Sequence, residues 1–532
     1  MLEDDDQTKE MSAERLFRPA IGVGLFVAFG GVLFGYDTGT IGGILAMPYW
    51  LQEFSTEGNN EITPSQDALI VSILSAGTFF GALLAAPTAD YLGRRWGLMF
   101  SAGIVFNLGV ILQTAATDQP MFIAGRFFAG LGVGLISAMI PMYQSETAPK
   151  WIRGTIVGTY QLAITIGLFL AAIVNNATQN RNDSGSYRIP IAVQFAWSII
   201  LVVGLFLLPE TPRFLIKQGK HEAAALSLSK LRRLDPQHPA VVEELAEVRA
   251  NHEYEMSLGK ASYIDCFKGT IGKRLLTGCG LQSLQQLTGV NFIFYYGTQY
   301  FLNAGFDNPF IITVITNTVN VVSTFPGLYL VEAMGRRNLL LMGAAGMCIC
   351  QFIVGAVGTA SGADNQAAQS TAIAFVCIYI FFFASSWGPV AWVVTGELFP
   401  LKVRAKCLSM TTASNWLLNF AIAYSTPYMV NEGPGYANLQ SRVFFVWGSF
   451  CFVCFAFVWF LIYETKGLSL EQVDELYGIV SQAWKSKSFR PALSFQEVDR
   501  EASRGMSMSE LAANQERKRS VAHAELPGTK NY

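Results

Sequence analysis

Three glutamines, Gln282, Gln285 and Gln286, recur at spacings that place them on one side of an α-helix, inside a largely apolar stretch. Gly289 and Asn291 follow, then Phe294, Tyr295 and Tyr296. Uncharged amides supply donors and acceptors, and flat rings cover C–H faces. That is the chemistry a neutral, hydroxyl-rich small molecule requires. Gly289 gives the backbone room to break its helix. Gln161, Asn317, Trp392, Asn415 and Asn419 sit in other apolar stretches. Buried amides also knit helices together in lipid, and Asn415 is expected to be one of these.

Two formal charges interrupt the apolar stretches, Asp37 in the first and Arg126 in the fourth. With a helical rise of about 1.5 Å per residue, Asp37 lies about 25 Å from a boundary near residue 20, and Arg126 about 10 Å from the opposite boundary near residue 119. Both therefore fall at similar depth. A carboxylate and a guanidinium in such a place each cost several kcal/mol alone and much less as a pair. Such a pair either holds helices together or carries a proton.

Other chemistry is missing. No Ser/His/Asp grouping is apparent, and His221, His238, His252 and His523 all lie outside the apolar stretches, so no intramembrane imidazole is available as a relay. Gly130, Gly132 and Gly134 lack a preceding strand and a phosphate-binding lysine, and read as close helix packing. The eight cysteines lie in the second half of the chain, and the C-x-x-C spacing of Cys451 and Cys454 is inside an apolar span, so neither a metal nor a disulfide framework is expected. No enzyme activity and no cofactor are expected. The net charge of −2 gives no reason to expect a nucleic-acid partner.

The elements that position these residues follow from composition. Apolar residues make up 51% of the 532, charged residues only 14%, and there are 39 Phe. Stretches long enough to cross a bilayer fall near 19–48, 67–89, 97–117, 119–142, 154–175, 189–208, 274–298, 308–331, 338–359, 370–395, 406–429 and 442–463. Lipid leaves no partner for open backbone groups, so these are twelve predicted helices. The first is too long for a signal-peptide core. Lys and Arg cluster in alternate loops, at Arg94 and Arg95, Lys150 and Arg153, Lys217 to Arg274, Arg336 and Arg337, and Lys402 to Lys406. That bias places these loops and both termini in the cytoplasm. Asn176-Ala-Thr178 and Asn182-Asp-Ser184 are then glycosylation sequons in an outer loop.

The chain divides into a segment 1–18, six spans over 19–208, an amphipathic helical linker 209–273, six spans over 274–463, and a tail 464–532 whose polar end reads as disordered. The halves repeat. Asp90-Tyr-Leu-Gly93-Arg94-Arg95 follows the second span and Glu332-Ala-Met-Gly335-Arg336-Arg337 the eighth. Glu146 and Arg153 answer Glu397 and Arg404, and Glu210 answers Glu464. A parallel duplication of this kind places a substrate between two pseudo-symmetric halves. The mirrored charges Arg94, Arg95, Glu146, Arg153, Glu210, Arg336, Arg337, Glu397 and Arg404 sit at cytoplasmic helix ends, and are expected to bridge the halves when that side is closed.

These motifs, with Pro141-x-Tyr143-x-x-Glu146-x-x-Pro149-x-x-x-Arg153-Gly154, Pro209-Glu-Thr-Pro-Arg213, Gln285-Gln286-x-x-Gly289-x-Asn291 and Glu464-Thr-Lys-Gly-Leu-Ser, resemble those of the sugar porter family of the major facilitator superfamily from about Gly22 to Tyr477. Phe34-Gly-Tyr-Asp37-Thr-Gly-Thr is most similar to fungal hexose transporters. Tyr463 departs from the family's usual Pro. The resemblance implies an all-α membrane protein of major facilitator fold in the plasma membrane, with a central monosaccharide site worked by alternating access on glucose or a related hexose. It matches Gln161, Gln285, Gln286, Asn291, Asn317, Trp392 and Asn419 to sugar-contacting positions, and Asp37 and Arg126 to proton coupling. A passive facilitator and a glucose-sensing receptor on the same scaffold are the alternatives.

Overall fold

The computed structural model describes residues 19–55, 62–148, 152–238, 241–242, 244–246, 248–249, 253, 262–303, 308–360, 366–400, 402–431, 436–468 and 470–489. The segment 1–18, the tail beyond 489, Lys150, Pro149, His252, His523 and half of the amphipathic stretch Val241 to Met256 lie outside the described residues.

Among the described residues every regular element is helical. Six long helices come first: α1 (Pro19–Ile44), α2 (Pro64–Leu92), α3 (Arg94–Ala115), α4 (Gln119–Thr147), α5 (Arg153–Thr178) and α6 (Gly185–Leu207). After short connecting helices come α7 (Gly269–Leu287), α8 (Val290–Asn303), α9 (Pro309–Met334), α10 (Arg336–Ala360), α11 (Ala367–Leu398), α12 (Arg404–Val430), α13 (Gln440–Leu461) and the short α14 (Leu470–Ile479). Ten of these helices are long and apolar enough to cross a membrane. The two remaining predicted spans are present in altered form. One is split into α7 and α8 at Gly289, whose φ of +85° is a left-handed value that glycine adopts without strain. The other, α12, is 27 residues long but more polar than those ten. These two spans carry most of the amides.

Local sequence explains how the helices begin and end. Thr63 caps α2 by accepting from the Gln66 backbone N–H while the Gln66 side chain accepts from that of Thr63, with Pro64 at the first position. Gly93 and Gly335 end α2 and α9 at φ +94° and +86°, so the two copies of the repeat turn alike. Close packing uses glycines. Gly77 and Gly81 of α2 lie on the main chain of Phe127 and Leu131, and Gly130 and Gly134 of α4 lie on that of Leu74 and Thr78. The seam leaves no room for a Cβ and joins α2 and α4 into one unit. It also places the glycines of the fourth span in helix packing. Beyond α6, helices Pro212–Lys217 and His221–Arg232 bury Ile216, Ala224 and Leu228 with Val241 and Leu245 in a small core.

The two sets of six spans meet along α2 and α12, where Ser409 donates to the Ala82 carbonyl, and along α5 against α9 and α11, where Gly158 lies on Leu328 and Val393.

Candidate functional site

The break at Gly289 lets α7 present amides from its last turns and α8 continue with Asn291 and the aromatic run. At its centre is Asn415 of α12. Its Nδ2 donates to Gln282 Oε1 at 2.7 Å and to Gln285 Oε1 at 2.9 Å, and its Oδ1 accepts from Gln286 Nε2 at 3.0 Å. Gln282 and Gln285 are also tied to α11, through Thr395 Oγ1 at 3.3 Å and the Trp387 and Gly388 carbonyls at 2.9 and 3.0 Å. Gln286 Oε1 accepts from Asn291 and, at 3.3 Å, from Asn419 Nδ2. All six amides are buried. Asn415 does knit helices, as expected, but what it holds are the three glutamines.

Two contacts bring the first half of the chain into this cluster. Ser75 Oγ donates to Asn419 Oδ1 at 2.7 Å, where Tyr295 OH also donates at 3.1 Å. Trp392 Nε1 donates to Gln161 Oε1 at 3.2 Å, and Tyr160 meets the Trp392 ring edge-on at 5.5 Å. Asn317 is not joined to the cluster by a hydrogen bond. Its Nδ2 turns back onto the Thr313 carbonyl at 2.9 Å, a bond within α9 that its short side chain reaches easily. One turn further on, Asn320 is fully buried with both ends of its amide unpartnered. Sequence reasoning passed over Asn320 because the two asparagines are alike in type and only helix phase separates them.

Asp37 and Arg126 meet as expected from their depth. Asp37 Oδ1 lies 3.9 Å from Arg126 Nη1, with both side chains 1% exposed. Arg126 Nε donates to the Ile70 carbonyl at 2.7 Å, and Gln194 Nε2 donates to Asp37 Oδ1 at 3.2 Å. Asp37 Oδ2 and Arg126 Nη2 have no hydrogen-bond partner. Gln194 was missed, although an amide within an otherwise apolar sixth span was a visible signal. Ile70 contributes only a carbonyl, which no sequence pattern reveals.

The mirrored charges form two similar clusters at one end of the bundle. In the first, Arg94 pairs with Glu146 at 3.0 Å, and the Arg94 and Arg95 backbone N–H groups donate to the Glu210 carboxylate at 3.0–3.2 Å. Arg95 donates to the Leu205 and Phe206 carbonyls. Burial pushes the Glu210 carboxyl up, opposed by the backbone N–H donors of Thr211 and Arg95. In the second, Arg336 pairs with Glu397 at 2.8 Å and Glu332 at 3.0 Å, while the Arg336 and Arg337 N–H groups donate to Glu464. Arg337 donates to the Trp459 carbonyl, and Arg404 to that of Phe399 at 3.0 Å. Arg153 is buried at the start of α5.

The ion pairs of Arg94 with Glu146 and of Arg336 with Glu397 and Glu332 do not themselves cross between the halves. Each lies within one half, because the repeat sets each Arg beside the Glu of its own adjoining helix end. The second cluster nonetheless reaches the first half, because Gly154 of α5 lies against Glu332 and Arg336. At the opposite end a Cβ on Gly42 would come within 2.6 Å of the Phe294 carbonyl, and Gln299 reaches Asp67 at 3.4 Å. The amide cluster therefore lies between two contact zones, one at each end.

Tyr463 packs its ring on Tyr477 at 4.4 Å and donates to the Val480 carbonyl at 3.1 Å, which seats α14 against the end of α13. A proline there would remove both contacts.

Comparison with known proteins agrees with this architecture. Residues 23–477 match the model of the family described as sugar (and other) transporter. The chain is 64% identical over 487 residues to "Major facilitator-type transporter ecdD" of Aspergillus rugulosus, covering 89% of this chain and 90% of that one. It is 58% identical over 492 residues to "Probable glucose transporter rco-3" of Neurospora crassa, covering 90% of this chain and 83% of that one. Among solved structures, the proton:xylose symporter XylE bound to 6-bromo-6-deoxy-D-glucose aligns with a TM-score of 0.74 at 27% identity, over 88% of this chain and all of XylE. Duplicated helix-end motifs, a helix broken beside a buried amide cluster, and these matches lead to one conclusion: the chain belongs to the sugar transporter family of the major facilitator superfamily.

Proposed function

We propose that this protein carries a hexose, glucose foremost, across the plasma membrane by alternating access, together with a proton. Gln161, Gln282, Gln285, Gln286, Asn291, Trp392 and Asn419 would hold the sugar, with Asn320 a better candidate than Asn317 from the side of α9. Asn415 holds the glutamines in place. The Arg-rich end faces the cytoplasm, as do both termini, on the strength of the Lys and Arg bias. The glucose-transporter name of the Neurospora crassa relative and the proton:xylose name of XylE support the cargo and the ion.

The observation that carries proton coupling is the Asp37–Arg126 pair. It is fully buried, separated by 3.9 Å, and has an unpartnered atom on each side. Adding a proton to Asp37 discharges the pair and loosens Arg126, so the two protonation states favour different helix arrangements around the sugar. One observation favours a passive facilitator instead. Asp37 has neutral Gln194 as its other partner, so the site is balanced in charge without a proton.

In transporter-deficient cells, sugar addition should make the medium more alkaline, and a non-metabolised analogue should accumulate above its outside concentration. Downhill uptake with neither effect replaces symport by facilitation. No uptake at all, with the protein at the surface, leaves the sensing reading.

A further inference from the structure

We infer that Ser75 is a positioning residue that ties the sugar amides to the Asp37–Arg126 pair through helix α2; this rests on the symport reading above. Three observations place it there. Ser75 Oγ is fully buried and donates to Asn419 Oδ1 at 2.7 Å, so it fixes which end of that amide faces Gln286. Five residues earlier on the same helix, about 7.5 Å along its axis, the Ile70 carbonyl accepts from Arg126 Nε at 2.7 Å. Beside and beyond Ser75, the glycine seam of Gly77, Gly81, Gly130 and Gly134, in which Gly130 lies on the Leu74 carbonyl, holds α2 tightly against the Arg126-bearing α4.

A shift of Arg126 when Asp37 takes up a proton therefore moves α2, and α2 carries Ser75 away from or toward Asn419 on the other half. No proton passes through Ser75; the coupling is mechanical. Tyr295 donates to the same Asn419 oxygen, but from α8 of the second half. It helps orient the amide without belonging to the α2–α4 unit. Titratable groups facing the pair from other elements are the phenols of Tyr295 and Tyr296 on α8; Asp67, one turn before Ile70, faces Tyr296. Linkage is reciprocal: if protonation changes sugar affinity through Ser75, removing Ser75 must flatten the pH dependence of that affinity.

The test compares wild type with Ser75→Ala and Tyr295→Phe, each normalised to surface protein, measuring the KM for glucose at several external pH values and protons taken up per sugar. One lost neutral hydrogen bond should raise KM about fivefold in either variant, with Vmax changed less than about twofold. In Ser75→Ala alone, the KM should lose most of its dependence on external pH, and protons per sugar should fall. A wild-type pH profile in Ser75→Ala overturns the inference, as does equal flattening in Tyr295→Phe. Loss of surface protein in Ser75→Ala would assign it to folding and also overturn it. If wild type shows no sugar-driven proton uptake, the symport reading fails first, and Ser75→Ala is then judged on KM alone, where no change overturns its positioning role.

Discussion

Replacing Asn415 with alanine tests whether the amide cluster is one unit. The substitution removes the acceptor of Gln286 Nε2 and the donor to Gln282 Oε1 and Gln285 Oε1. Three polar ends then lose a partner in a site where each stranded group costs about 1–3 kcal/mol. The vacated volume is polar and close to the size of a water molecule, and a bridging water that recovers two of the three bonds at a cost of about 0–2 kcal/mol reduces the loss. The expected net effect is a destabilisation of about 2–4 kcal/mol, within the range for broken buried networks. With the glutamines no longer fixed, sugar affinity should also fall on the order of tenfold, or about 1.4 kcal/mol. Purified protein in detergent, heated and scored for remaining monodisperse material, reads stability with and without glucose; uptake in cells reads KM. A wild-type thermal midpoint together with a wild-type KM would refute the network, since the three glutamines would then be held by other contacts.

Three further groups of substitutions probe separate parts of the molecule. Glu146→Gln or Glu397→Gln weakens the clamp on Arg94 or Arg336 within one half, and should lower transport while leaving membrane insertion intact; normal transport in both singles and the double removes the gating role. Asp37→Asn should abolish uphill accumulation while keeping downhill exchange, whereas Arg126→Ala should be worse, because a buried carboxylate left alone costs about 3–5 kcal/mol; equal surface levels and equal exchange in the two would contradict this. Gly289→Ala puts a side chain where φ is +85° and where a Cβ runs into the Trp447 ring, so the α7–α8 break should be lost and surface protein with it, read by quantitative labelling of intact cells.

The twelve spans, the internal repeat and the residue classes at the site were legible because each rests on a signal that survives without coordinates: length of apolar run, spacing of basic loops, and helix phase. Gln282, Gln285 and Gln286 came together because i, i+3 and i+4 positions share a face whatever surrounds them. The Asp37–Arg126 pair was legible from depth alone. What escaped depends on rotation and partner choice. Asn317 and Asn320 are three residues apart on one helix, and which of them turns back to its own backbone is settled by local geometry. Gln194 needed to be read as an exception to its span, as Asp37 and Arg126 were. Ser75 and the Ile70 carbonyl carry no compositional mark, because a serine in an apolar helix looks the same whether it bonds to its own turn or across to another helix. The ion-pair partners of Arg94 and Arg336 escaped for a related reason: mirrored position predicts a shared environment, not which partner is taken.

The polarity of α12 has a consequence for how the molecule is made. Ten helices are long and apolar enough to cross a membrane, but α12 emerges carrying Asn415 and Asn419, and lipid offers those amides no partner. Its partners, α2 and α7, are synthesised earlier and must already be waiting when it arrives. Biogenesis of this protein is therefore not sequential deposition of independent spans. The C-terminal half has to remain open on one side until α12 docks, and the amide cluster is completed only as the last part of the bundle closes. Variants that weaken α2 or α7 should then show their defect late, as a full-length chain that is made, inserted and then degraded.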